Sequence, residues 1–307
     1  MDIKKVHPQL QKIYARIPTV PFHNHWVLWL VKLLSAIPRK AKPVAGVKIS
    51  EHKLANSKVR IYQPEGELSG AGMLWLHGGG FLVGDAATND RECAAYAKEL
   101  RLVVVSVEYR LAPKYNAPCA VDDGFEAWQW FLTNADVLGV TPERIVVSGQ
   151  SAGGGVAAGL VQRLADDGGV QPAGQALLAP MLDDRTAART ELDAVKHRVW
   201  NNKNNRAGWT HYLGHAVNLP KVTAYAAPAR REQLAGLPEC WIGVGDIDLF
   251  YQEDCDYAAR LNAAGVKCEL KIVPGAPHGF ELFAPNAAIV IDFYASNYQF
   301  LRRVLKL

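Results

Sequence analysis

Arg144-Ile-Val-Val-Ser-Gly-Gln-Ser-Ala-Gly-Gly-Gly-Val-Ala-Ala-Gly159 decides the fold. Arg144 to Ser148 is a short, apolar, β-branched run, the pattern of a strand buried on both faces. Ala152 to Ala165 reads as a helix rich in Gly and Ala, able to pack close against a sheet. Between them Gly149-Gln-Ser-Ala-Gly153 fits G-x-S-x-G, so Ser151 falls on a sharp strand-to-helix turn. Small residues are needed there because the turn is strained and neighbouring backbone comes close. The turn lifts the serine hydroxyl above the sheet and puts it at a helix N-terminus, where the dipole favours developing negative charge. Gly153-Gly154-Gly155 is not a phosphate loop, because no Lys follows at the required position.

On either side, β-rich runs alternate with helical stretches. Val47 to Leu54, Lys58 to Gln63, Met73 to Leu76 and Leu102 to Val107 read as strands before the turn. Ala176 to Leu178, Cys240 to Val244 and Cys268 to Val273 continue the series after it. Asn89 to Leu100, Ala120 to Thr133, Ser151 to Asp166, Tyr251 to Ala264 and Asn286 to Leu305 read as helices. Alternation of this kind predicts a mainly parallel, eight-stranded sheet with helices on both faces and reacting groups at the carboxyl ends of its strands. Two segments break the pattern: residues 1–45, mostly helical, and about 183–231, rich in Asn, Arg, Trp and His. They are expected to form a composite helical cap over a catalytic domain spanning 46–307.

The chemistry follows from three further segments. His77-Gly-Gly-Gly80 comes directly after the strand Met73 to Leu76. The amides of Gly78 and Gly79, with that of Ala152 beside the nucleophile, are placed to hold an oxyanion. His77 is expected to brace this loop. A serine hydroxyl needs a base, and chains with such a turn order the triad as serine, acid, histidine. His197, His211 and His215 lie in the 183–231 insertion, whereas His278 follows the last strand in Pro274-Gly-Ala-Pro-His-Gly-Phe280. His278 is therefore the expected base. Cys240-Trp-Ile-Gly-Val-Gly-Asp-Ile-Asp-Leu249 offers two acids, Asp246 and Asp248, which position alone does not separate. Asp254 and Asp256 fall inside the next helix and read as surface charges.

Together these motifs resemble the hormone-sensitive lipase family of α/β-hydrolases, specifically its bacterial carboxylesterases. The resemblance runs from about residue 73 to 280. His77-Gly-Gly-Gly-Phe-Leu-Val-Gly84 looks like the oxyanion segment, and Gly149-Gln-Ser-Ala-Gly-Gly154 like the nucleophile elbow. Val107-Glu-Tyr-Arg-Leu-Ala-Pro113, with Pro118 and Val121-Asp-Asp123, is similar to a family signature without a catalytic role. Gly245-Asp-Ile-Asp-Leu-Phe250 and Pro277-His-Gly-Phe280 resemble the acid and histidine segments. The family's acid stands three residues after a glycine and opens a D-P-L segment, which the resemblance maps onto Asp248. It also implies an N-terminal cap, hydrolysis of short acyl esters and, as is frequent in the family, homodimers. Three positions depart from the pattern: Gln150 replaces an acidic residue or Thr, Leu249 replaces a proline, and Gln252 replaces a common aspartate.

Composition narrows the field. With 49% hydrophobic and 21% charged residues and a net charge of +4, the chain can bury a large core and shows no basic tract for nucleic acid. Five scattered cysteines without metal-ligand spacing point to reduced thiols and a cytoplasmic location. The apolar stretch His25 to Ile37 is shorter than the ~20 residues a membrane span needs and is interrupted by Lys32, so it is expected to lie over a substrate pocket. The tryptophans Trp26, Trp29, Trp200 and Trp209 either line that pocket or pack the cap. The expected activity is hydrolysis of short to medium acyl esters through an acyl-enzyme, with no metal or organic cofactor. Amide hydrolysis, of the arylformamidase or peptidase kind, would use the same triad. A non-catalytic receptor on this fold would lack a triad member, and none is missing.

Overall fold

The computed structural model describes residues 1–35 and 44–307. After a short 3-10 turn come α1 (Pro8–Tyr14) and α2 (His25–Ser35), then β1 (Val47–Lys53), β2 (Lys58–Pro64) and β3 (Gly72–Leu76). Next are α3 (Asp90–Leu100), β4 (Val103–Glu108), α4 (Cys119–Thr133), α5 (Ala135–Leu138), β5 (Ile145–Gln150) and α6 (Ala152–Asp167). β6 (Gln175–Leu178), α7 (Asp184–Ala188), α8 (Asn202–Leu213), β7 (Cys240–Gly245), α9 (Tyr251–Ala263), β8 (Cys268–Val273), α10 (Phe280–Phe283) and α11 (Ala288–Leu305) complete the chain. The eight strands form one sheet in the order β1-β2-β4-β3-β5-β6-β7-β8. β2 runs antiparallel to both β1 and β4, and every other pairing is parallel.

Side chains alternate across each strand, so the parallel strands feed two cores. Leu74, Leu76, Val105 and Val147 pack with Trp128 and Phe131 of α4, Leu160 of α6 and Leu261 of α9. Met73, Trp75, Val104 and Val146 pack with Tyr96 of α3, Phe293 and Phe300 of α11, and Leu10 and Tyr14 of α1. Helices on both faces explain why the sequence shows continuous apolar runs at these strands. Most expected element ends lie within two residues of those observed. β5 extends through Gln150, which brings the strand and Ser151 into direct succession.

Asp254 corrects one expectation. It is completely buried in α9, and neither carboxylate oxygen has a protein partner. The first turn of α9 faces the sheet at this residue, whereas Asp256 is exposed and accepts from Gln252. Burial, followed by the charges of Glu253 and Asp248, pushes the Asp254 pKa well up. Of the 1–45 segment, residues 36–43 lie outside the described residues, and with them the end of the expected His25 to Ile37 helix. No helix among the described residues is long and apolar enough to cross a membrane.

Candidate active site

The site is assembled at the carboxyl ends of β3, β5, β7 and β8. Ser151 follows β5 with φ at 56°, a left-handed value that a non-glycine residue adopts only under strain. Its N–H donates to the Leu178 carbonyl at 2.8 Å, which ties the turn to β6. The turn closes tightly because Gly153 has no side chain: a Cβ there would stand 2.2 Å from the Leu76 carbonyl oxygen and 2.3 Å from that of His77. The same contact sets the start of the His77 loop beside the start of α6.

Ser151 Oγ lies 2.9 Å from His278 Nε2, and His278 Nδ1 lies 2.8 Å from Asp248 Oδ2. All three residues are buried. The second Asp248 oxygen accepts the Phe250 N–H at 3.0 Å, and the Phe250 ring stands edge-on to the imidazole at 5.1 Å. Burial works against the imidazolium, but the charge and hydrogen bond of Asp248 together outweigh it. The His278 pKa therefore lies above the ordinary imidazole value, with a smaller push from Glu281. Asp246 has a different task. It is exposed, and its Oδ1 accepts the Gly275 N–H at 2.6 Å, which braces the loop leading to His278.

The glycine loop is built to keep its shape. Gly79 has φ at 128°, and a Cβ there would overlap the Val83 carbonyl oxygen at 1.9 Å, so no other residue fits. His77 Nδ1 lies 2.8 Å from the Gly78 oxygen, and its ring stacks on Tyr109 with centroids 4.3 Å apart. Burial brings the His77 pKa down to about 4, so it is neutral near pH 7. Tyr109 also donates its hydroxyl to the His77 carbonyl at 2.7 Å. Its neighbour Arg110 makes a forked pair with buried Asp123, with contacts of 2.7–2.9 Å from Nη2 and Nε to Oδ1. The segment around Tyr109 thus braces the glycine loop at His77.

Above these groups is a cavity of about 330 Å³, lined by Ser151, His278, Gly78 and Gly79 below. Phe22 and Val31 of the N-terminal segment and Val199 and Trp200 of the insertion form apolar walls. Trp200 lies directly on the glycine loop: a Cβ on Gly80 would meet its ring at 2.0 Å. The Phe22 and Trp200 rings are 5.8 Å apart, so the two segments meet over the serine. The tryptophans divide. Trp200 and Trp209 are buried, whereas Trp26 and Trp29 are 81% and 59% exposed on α2.

The sequence motifs do not place several residues that lie near the site. Tyr14 of α1 is buried and donates its hydroxyl to the His278 carbonyl at 2.7 Å. Glu281, one turn past His278, is buried and accepts from the Gln150 amide. Gln150 in turn accepts from Asn89 at 3.3 Å. His197 is buried near Asp248 and His278, and burial lowers its pKa. The three-residue spacing of His278 and Glu281 is the one clue available in the sequence.

Known proteins share this fold. Residues 73–282 match the family described as the alpha/beta hydrolase fold. A bacterial heroin esterase of known structure is 34% identical, with a TM-score of 0.88 and 99% of each chain covered. Carboxylesterase NlhH of Mycobacterium tuberculosis is 33% identical over 238 residues, covering 75% of this chain and 73% of that one. Esterase LipI of the same organism is 32% identical over 222 residues, covering 69% of this chain and 66% of its own length. The chain belongs to the α/β-hydrolase fold family, in its hormone-sensitive-lipase branch of carboxylic ester hydrolases.

Proposed function

We propose that this chain is a serine carboxylesterase for short to medium acyl esters, with Ser151 as nucleophile, His278 as general base and Asp248 as the orienting acid. The observation that carries the reading is the 2.9 Å contact of Ser151 Oγ with His278 Nε2 at the floor of an apolar cavity. His278 takes the hydroxyl proton as Oγ attacks the ester carbonyl carbon. Asp248 accepts from Nδ1, which leaves Nε2 free to act as the base and steadies the imidazolium. The amides of Gly78, Gly79 and Ala152 receive the negative oxygen. Each such donor is worth roughly a hundred- to a thousand-fold in turnover. The tetrahedral intermediate collapses, the alkoxide leaves with the proton from His278, and an acyl-Ser151 ester remains. Water, deprotonated by His278, then releases the carboxylic acid and restores the serine.

The substrate range rests on size. A cavity of about 330 Å³ is near the low end of ligand pockets, which span roughly 300–1,000 Å³, and this favours small acyl groups. Phe22, Val31, Val199 and Trp200 support the reading of residues 1–45 and about 183–231 as a composite cap that excludes water from the acyl-enzyme. Five free cysteines fit a cytoplasmic enzyme. The test is hydrolysis of p-nitrophenyl acetate and butyrate by the wild type beside Ser151→Ala. Turnover by the wild type alone is the expected result. Equal turnover by both would remove Ser151 from the mechanism. Inert wild type would remove the esterase reading. Sedimentation velocity tests for the homodimer.

A further inference from the structure

A second cavity, of about 330 Å³, opens between α3 and α11 and shares no lining residue with the catalytic one. Its polar lining is unusual. Glu281 is 2% exposed, and while one of its oxygens accepts from Gln150, the other has no protein partner. The Tyr294 hydroxyl is likewise buried without a partner. Glu92 and Glu99 of α3 add two more carboxyl groups, against the exposed Arg91. The Tyr294 and Tyr298 rings lie 6.2 Å apart and both line the cavity. Tyr298 already holds a cation near its ring, the Arg302 guanidinium at 5.9 Å.

We propose that this cavity binds a primary alkylammonium ion, with its charge against Glu281 and Glu92 and its chain against Tyr294 and Tyr298. The excess of carboxyl groups disfavours an anion. Among the described residues no group of His, Cys, Asp or Glu suits a metal ion, so the carboxyl groups do not form a metal cage. The unpartnered Glu281 oxygen and Tyr294 hydroxyl accept hydrogen bonds, which an ammonium supplies and a quaternary amine does not. The rings of Tyr294 and Tyr298 and the apolar side chains of Ile291 and Ala295 line the cavity and suit a short alkyl chain. Burial raises the carboxyl pKa of both Glu281 and Glu92, as expected of acids that lack a buried counter-charge. The site is separate from the ester reaction, yet Glu281 joins it to Gln150, the neighbour of Ser151.

The experiment is isothermal titration of the full chain with n-butylammonium chloride, with n-butanol as the uncharged control. Saturable one-to-one binding of the ammonium, and none of the alcohol, is expected. Ala295 is exposed on α11, so Ala295→Trp fills the cavity while leaving the buried groups in place. This variant and Glu281→Gln should each bind at least about tenfold more weakly, as loss of contact with a charged partner requires. Ser151→Ala should bind as the wild type does. The proposal is overturned if the wild type shows no saturable binding or if Ala295→Trp binds equally well. Loss of binding in Ser151→Ala would also overturn it, because the amine would then occupy the catalytic cavity.

Discussion

Tyr14→Phe removes one hydroxyl that joins α1 to the loop carrying His278. The hydroxyl donates to the His278 carbonyl at 2.7 Å in a buried setting, and the ring stands edge-on to Phe283 at 6.0 Å. Phenylalanine keeps the ring contact and leaves the carbonyl without its donor. A lost buried hydrogen bond with a stranded partner costs about 1–3 kcal/mol. At roughly 2–3 °C per kcal/mol for a domain of this size, Tm should fall by about 5 °C. Catalysis should suffer separately. A 1 Å misplacement of a catalytic group can cost about a hundredfold in rate. The loop keeps a second anchor, the His7 N–H to the Gly275 carbonyl at 2.8 Å, so the displacement should be smaller. A drop in kcat of about tenfold with KM within about twofold is expected, since Phe22, Val31 and Trp200 still line the pocket. Thermal unfolding and p-nitrophenyl butyrate kinetics on the same preparation give both numbers. Lower Tm with wild-type kcat would make Tyr14 a packing residue only, and a wild-type value of both would refute the argument.

Three other perturbations probe separate parts of the molecule. Asp248→Asn should lower kcat by about 10⁴ and move the acid limb of kcat/KM to lower pH. The sign follows because the proposed mechanism uses neutral His278 as the base, burial alone lowers its pKa and Asp248 raises it; an unmoved limb would show that another group titrates. Trp200→Leu removes the ring lying on Gly80 and should shift the best p-nitrophenyl ester to a longer acyl chain, whereas an unchanged optimum would mean that Trp200 does not bound the acyl pocket. Asp254 has its folded pKa raised, so its stabilising effect is complete below the unfolded carboxyl value and is lost as pH rises toward the folded one. Over that window it contributes a slope of about −1.4 kcal/mol per pH unit, which denaturant titrations should find missing in Asp254→Asn.

Local chemistry made the framework legible. β-branched runs, helical spacing and the small residues of 149–153 and 78–80 are constraints on the nearest few residues, and the sequence displays them directly. They determine an alternating strand and helix fold, a serine on a turn, a glycine loop after β3 and a histidine after the last strand. Long-range pairing is another matter. Asp246 and Asp248 differ by two positions in one loop, and only folding shows that Asp248 meets His278 while Asp246 holds Gly275. Asp254 looked like a solvent charge because nothing within its helix reveals that its face is turned toward the sheet. Tyr14 and Glu281 are ordinary residues whose roles depend on partners 264 and 131 positions away. Sequence pattern records which backbone a segment prefers, because that preference is local. Which polar groups end up paired, stranded or facing a cavity depends on how the finished elements pack, and only the tertiary structure decides that.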